Sequence, residues 1–411
     1  MKKGRISLKK FWKRSVPGII SGGSDNDPAG IASYSISGAS FGYRQLWLML
    51  LAMPLLIAVQ SMCARIGDVK RQGLSTIFKE HFHPSIAWFA TLGLIFANVF
   101  TIGADIVAMG SALELITNVN YKIWILPLTI LIIYIVVFKS FKFLEKYFNF
   151  LIIFFFSYVV AAFFAKPDWI AVLRGLTFPD LSNTGGEFWI AAVAILGTTI
   201  TPYLFYWETK EKIEERKSKK EFEDDAKHED VYNAPGFIFS QIIALFIMIA
   251  TGATLFQHGI QVTSAAEAAS ALEPFAGGLA KWLFAIGILG AGLISIPVLS
   301  ASTGYVVAET VGWKDSLDSK LKDAKGFYFV ITLSLLAGII VIIMGLDPIK
   351  ALFYSQVVNG FLGPILILLI LIIANNKKIM KGFVNTWFDN IFGGLAVIIM
   401  ATAVFLTLVH F

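Results

Sequence analysis

At 411 residues, 56% hydrophobic against 15% charged and with a mean hydropathy of +0.72, the chain is more apolar than a soluble domain, whose apolar share is about 45 to 50%. That balance excludes a soluble globular fold and predicts a polytopic membrane protein of about eleven apolar stretches, each near the roughly 20 residues that cross the hydrocarbon core. The net charge of +6 follows from Lys and Arg gathered in alternate connections, so it gives no reason to expect a nucleic-acid partner.

The predicted spans are 15–42, 45–66, 85–113, 121–139, 147–165, 187–207, 234–257, 279–311, 326–346, 347–373 and 383–410. Lys2, Lys3, Arg5, Lys9, Lys10, Lys13 and Arg14 precede the first span, and the connections 65–79, 139–146, 210–227, 314–325 and 377–381 are also basic. This asymmetry predicts a cytoplasmic N-terminus and, after an odd number of spans, an extracellular C-terminus. No short apolar region with a small-residue cleavage site follows the basic start, so no processing is expected.

The first span holds a polar knot at residues 24–30, Ser-Asp-Asn-Asp-Pro-Ala-Gly. A bilayer helix with carboxylates, a proline and glycines at mid-depth loses backbone hydrogen bonds there, and it persists only when facing protein or a water-filled cavity. An unpaired carboxylate near the bilayer centre costs about 2.5 to 3.5 kcal/mol, which a neighbouring cation offsets. Asp27 is therefore the leading cation ligand and Asp25 a lesser one, with helix capping as the plainer role for an aspartate at such a break.

Cys63, the single cysteine, lies in the second span, which excludes an intrachain disulfide and predicts simple packing. Residues 67–84 carry scattered apolar side chains and predict an interfacial helix, with His81 and His83 as surface residues. In the third span Asn98 and Asp105 are seven apart and share a helix face, Asp105 being either an ion-path or a bundle carboxylate.

The sixth span breaks at residues 197–202, Gly-Thr-Thr-Ile-Thr-Pro. Thr198 and Thr201 stand three apart and can turn hydroxyls and freed carbonyls toward one cavity, although a threonine often bonds only its own helix. The hydrophilic stretch 208–233 mixes both charge signs and reads as a solvated connection. In the eighth span Gly287, Gly290 and Gly292 lack the strand-to-helix context and the Lys-Ser/Thr ending of a phosphate loop, and predict close helix packing. Gln356 and Asn359 share a face of the tenth span, where carboxamides bond between helices or hold a ligand.

Breaks in spans one and six imply a repeat of five spans whose second copy enters the membrane inverted, with a binding site at the midplane. The expected organisation is one transmembrane transport domain over 1–411, with repeats at 15–165 and 187–373 and an additional helix at 383–410. No nucleophile and base converge in the spans, so an enzyme is not expected.

Three motifs in order carry a family resemblance. Pro17-Gly18 followed by Asp27-Pro28 resembles the first-helix Asp-Pro-Gly-Asn signature of the NRAMP family of divalent metal transporters. The run Thr198-Thr199-Ile200-Thr201-Pro202-Tyr203 looks like the family's sixth-helix Ala-x-x-Met-Pro-His, and Ser355-Gln356-Val357-Val358 looks like its tenth-helix glutamine motif. The resemblance covers roughly 11–373 and implies an all-α, leucine-transporter-type 5+5 inverted repeat with alternating access.

The family's metal-binding aspartate matches Asp27, while its asparagine falls on Gly30, its alanine on Thr198 and its methionine on Thr201. With the soft sulfur gone, the expected ligands Asp27, Thr198, Thr201, Gln356 and the space at Gly30 suit a hard, partly hydrated ion. The pattern is similar to the prokaryotic NRAMP-related magnesium transporters. Two family histidines fall on Tyr203 and Glu208, and the third-helix acidic pair is reduced to Asp105. The resemblance thus implies a secondary carrier in the cell membrane for Mg2+, with Mn2+ admitted, without obligatory proton coupling. The alternatives are a proton-coupled importer of Mn2+ or transition metals, and an organic-solute or amino-acid symporter of the same fold. No cofactor and no obligate protein partner are expected; the ion and the bilayer are the partners.

Overall fold

A computed structural model describes residues 21–139, 156–182, 184–214, 229–317, 319–337, 339–340 and 345–410. The Pro17-Gly18 part of the first motif lies outside them. The long helices are α1 (Pro28–Phe41), α2 (Leu46–Lys70), α3 (Pro84–Thr117), α4 (Tyr121–Phe138), α5 (Gly186–Thr199), α6 (Pro202–Glu214), α7 (Glu229–Thr254), α8 (Ala280–Val311), α9 (Lys325–Leu336), α10 (Pro348–Asn375) and α11 (Trp387–His410).

Among the described residues, eight helical segments are long and apolar enough to cross a membrane, α5 with α6 counting as one. They coincide with eight of the expected spans. The other three fall on the interrupted first helix, on a fifth span described only over Phe156–Phe164, and on the 12-residue α9.

The helices are apolar on nearly every face, as expected where one side meets protein and the other lipid. Their ends are set by local chemistry. Asp347 accepts hydrogen bonds from the Ile349 and Lys350 amides and Pro348 occupies the first turn, which starts α10. Asn118 takes the left-handed conformation (φ 57°) that closes α3. His83, at the surface as expected, also caps α3 by accepting from the Ser85 amide through Nδ1. The interfacial helix between α2 and α3 is Leu74–His81, with Leu74, Ile77 and Phe78 buried.

Packing puts the broken helix at the centre. α1 lies against α5, α7 and α10, while α3 packs along α8 and α10. α2 is held by α6, α7 and α11. α4 and α11 are peripheral and turn Ile123, Ile130, Ile398 and Phe405 outward. The glycines of α8 serve packing, Gly292 sitting against Met109 of α3.

One expectation changes. The chain from residue 208 does not leave the bundle: α6 continues to Glu214, and Glu208, Lys210, Glu211 and Lys212 are buried. Lys210 meets Glu309 at 3.1 Å and Asp315 at 2.5 Å, so opposite charges make this polar turn tolerable inside.

Candidate cation site at two helix breaks

The first span is helical at 21–25, opens at Asn26 and Asp27, and resumes with α1. Proline at the first position of α1 has no amide hydrogen to lose, and Asp27 takes the extended N-cap conformation. Its Oδ1 accepts from the Gly30 amide at 2.5 Å, so Asp27 does cap the second half-helix. Oδ2 is left to face Gln356, whose Nε2 is 3.4 Å away. The expected capping role of Asp27 is therefore present, and it leaves Oδ2 on the side of Gln356.

The sixth span breaks at Ile200 and Thr201, after α5 and before Pro202. Among the described residues the Thr198 and Thr201 hydroxyls are buried without a hydrogen-bond partner, Thr198 lying beside Tyr34, whose hydroxyl bonds Thr199 at 3.0 Å. A buried hydroxyl left unpaired costs about 1 to 3 kcal/mol unless something else uses it. A Cβ on Gly30 would stand 2.7 Å from Thr198 Oγ1 and 3.0 Å from Asp27 Oδ1. Gly30 therefore keeps open the space between the carboxylate and the threonine, and brings no side-chain ligand of its own.

Close helix approach delivers Gln356. A Cβ on Gly197 would lie 2.1 Å from the Gln356 carbonyl oxygen, and one on Gly360 would lie 2.5 Å from that of Val193. These two glycines let α5 and α10 touch by backbone. Asn359 Nδ2 donates to Gln356 Oε1 at 3.0 Å, while Asn359 Oδ1 is buried and unpaired among the described residues. If both carboxamides reverse, Gln356 turns its oxygen to the site and donates to Asn359 instead.

The other polar residues sort themselves by their partners. Asp105 accepts from the Ala29 amide at 3.1 Å and from Ser295 at 3.5 Å, so it ties α3 and α8 to the start of α1. Asn98 bonds Thr303 across the α3–α8 contact. Cys63 is buried and unpaired by disulfide. Tyr203, on the family-histidine position, donates to the Ser24 carbonyl at 2.7 Å and fixes the end of the first half-helix, a contact that no sequence pattern announced.

A cavity of about 290 Å³ lined by Ser111, Glu114, Tyr121, Thr263 and Asp347 lies at one end of the bundle. It shares Ser111, Ala265, Pro348 and Ile349 with a neck of about 20 Å³ that reaches Pro28 past Ile31, Ser35 and Phe284. The larger cavity thus carries the carboxylates Glu114 and Asp347, and the smaller, apolar one borders Pro28, the residue next to Asp27.

No group of three His, Cys, Asp or Glu side chains is set to hold a metal among the described residues. A cation at the breaks would be held by one carboxylate, neutral oxygens and water, with no sulfur or imidazole in that set.

Two interrupted helices that meet at mid-bundle around a buried carboxylate define a multi-pass membrane transporter of the leucine-transporter type. The fold agrees with that of MhsT in complex with L-phenylalanine, at a TM-score of 0.61 and 16% identity over 99% of this chain and 100% of the other. More narrowly, residues 18–410 match the Nramp model, described as natural resistance-associated macrophage protein-like, and the chain belongs to that family. Its members are membrane transporters and not enzymes.

Among its relatives, the divalent metal cation transporter MntH of Caldanaerobacter subterraneus subsp. tengcongensis is 28% identical over 95% of this chain and 91% of its own length. MntH of Klebsiella pneumoniae subsp. pneumoniae is 26% identical over 91% and 89%. In fold, the chain is similar to the Eremococcus coleocola manganese transporter crystallised with an aromatic bis-isothiourea compound. That likeness has a TM-score of 0.76 and 19% identity, covering 100% of this chain and 88% of the other.

Proposed function

We propose that this transporter carries divalent metal cations by alternating access, with Asp27 as the charged ligand and Thr198, Thr201 and Gln356 holding the ion or its waters. The observation that carries this reading is the pairing of a buried Asp27, which no Lys, Arg or His side chain neutralises among the described residues, with two unpartnered hydroxyls at the facing break. Manganese import is the cargo that the relatives' names support best, and it corresponds to the alternative rather than the leading expectation from sequence. Magnesium is kept as a second reading on one ground: oxygen donors suit Mg2+ and Mn2+ alike, and Thr201 stands where the family has a thioether. The five-span division at 15–165 and 187–373 belongs to the same proposal and is supported by the matching breaks.

Coupling to protons is the remaining choice. A divalent ion entering a compartment held negative by 100 mV gains about 4.6 kcal/mol, which drives uptake without protons. The test is Mn2+ influx into proteoliposomes with an internal pH dye and Mg2+ as competitor. Influx by the wild type that is lost in Asp27→Ala is expected, and undiminished influx in that variant overturns the site. Competition by Mg2+ at millimolar concentrations, about 10-³ M, supports the magnesium reading, and acidification that tracks influx replaces uncoupled transport with proton coupling.

A further inference from the structure

We propose that Asp25, Asn26 and Ser240 form a second cation position, next to Asp27 and on the side away from the Ser35 neck. There a hard divalent cation rests between the Asp27 site and the opposite face of the membrane. The inference rests on the divalent-metal reading and adds a step to it.

Asp25, the last residue of the 21–25 helix, is 1% exposed, and Asn26, the first residue of the opening, is fully buried. Ser240 of α7 stands between them: its Oγ donates to Asp25 Oδ2 at 2.7 Å and accepts from Asn26 Nδ2 at 3.0 Å. One hydroxyl therefore fixes both side chains. The remaining oxygens, Asp25 Oδ1 and Asn26 Oδ1, are buried and have no hydrogen-bond partner among the described residues. Asp25 has no basic partner among the described residues.

Two adjacent acceptors without donors, one of them on a carboxylate, are costly in a low-dielectric interior, and a cation satisfies both together. Carboxylate and carbonyl oxygens are the ligands that hard divalent ions take, with water completing the shell. The surroundings are rigid enough to hold such a position. A Cβ on Gly22 would fall 2.3 Å from the Gly236 carbonyl oxygen, so the 21–25 helix lies directly on α7, and Tyr203 pins the Ser24 carbonyl.

Proximity links this position to the first. The point where a Gly30 Cβ would sit is 3.0 Å from Asp27 Oδ1 and 3.5 Å from the Asp25 backbone carbonyl oxygen, so the gap at Gly30 borders the Asp27 side chain and the Asp25 main chain. The neck is bordered by residues after the break, Pro28, Ile31 and Ser35, of which Pro28 adjoins Asp27, whereas Asp25 precedes the break. An ion that enters past Ser35 meets Asp27 first and Asp25 second.

The experiment is Mn2+ influx into proteoliposomes at an inside-negative potential, comparing wild type, Asp25→Asn and Asn26→Ala, each checked for monodispersity and thermal unfolding. Expected is a fall of about tenfold in maximal influx for Asp25→Asn and of about threefold for Asn26→Ala, with the half-saturating Mn2+ concentration moved by less than about threefold. Wild-type maximal influx in folded Asp25→Asn overturns the second position. Where Asp25→Asn does not fold, wild-type influx in Asn26→Ala overturns it equally. A sodium requirement that Asp25→Asn removes would give the position to a monovalent ion and overturn the divalent assignment. Absence of influx by the wild type would instead refute the transport reading on which the proposal rests.

Discussion

In the proposed site Gly30 would set the width of the ion position, because any side chain there enters the space between Asp27 Oδ1 and Thr198 Oγ1. Gly30→Ala is expected to raise the half-saturating Mn2+ concentration about tenfold in a flux assay, since a methyl group displaces a ligand or a water of the ion. An unchanged value would show that the ion does not use this space. Thr201→Met tests the donor chemistry from the other break: a thioether should shift preference from Mg2+ toward softer transition metals, measured as the change in competition of Mg2+ and Cd2+ against Mn2+ influx. Asp27, Thr198, Thr201 and Gln356 were legible in the sequence because polar residues and a proline stand out in apolar spans. Ser240, Tyr34 and Tyr203 were not, because a lone serine or tyrosine is ordinary in a bundle helix and no pattern tells which way it faces. Glu208 reads as exposed from sequence and is buried: the alternating charges of 208–212 look solvated in one dimension, and the partners of Lys210, Glu309 and Asp315, are about a hundred residues away.

Helix ends do as much as helix faces in this fold. Among the described residues eight of the spans were legible from hydropathy, since the bilayer fixes their length, although the sixth runs on to Glu214, and the two breaks were legible from Pro28 and Pro202. The short helix Ala265–Ser270 at the vestibule was not, and it depends on a capping box between Ser264 and Glu267. Partial burial acts to raise the Glu267 pKa, but hydrogen bonds from the Thr263 and Ser264 amides and the Thr263 hydroxyl outweigh it and hold the carboxyl below its ordinary 4.5. A depressed carboxylate stabilises the fold fully above the unfolded value and loses that contribution as the pH falls through the folded value. Residues 263–270 should therefore lose amide protection as the pH drops from about 6 to about 3, after correction for intrinsic exchange. Glu267→Gln should flatten that dependence, and Ser264→Ala should cost about 1 kcal/mol of local stability in the same hydrogen-exchange measurement.

At the scale of the molecule, the two ends of the bundle are built differently. One end opens as the vestibule of Glu114 and Asp347, while the other is tied by Lys210, which reaches from α6 to Glu309 at the end of α8 and to Asp315 beyond it. Glu214 adds bonds from Tyr305 at 3.2 Å and Ser316 at 2.9 Å, and the Thr76 amide donates to Glu309 from the interfacial helix. In an alternating-access cycle, this contact between the second half-helix and α8 has to part whenever that end opens. Its strength depends on completeness, because two carboxylates share one ammonium in a setting where the side chains of Lys210 and Glu309 are only 9% and 6% exposed. Lys210→Met leaves both carboxylates without their cation and is expected to cost about 3 to 5 kcal/mol. Combining it with Glu309→Gln and Asp315→Asn removes the stranded charges and should recover most of that loss, since a buried ion pair is often no more stabilising than neutral groups of similar volume. The thermal unfolding midpoint of the detergent-solubilised protein separates these cases. A large drop in the single variant with recovery in the triple one identifies a latch held by charge, whereas equal drops in both would show that Lys210 acts through its ammonium over the Tyr305 ring, 5.1 Å from the centroid.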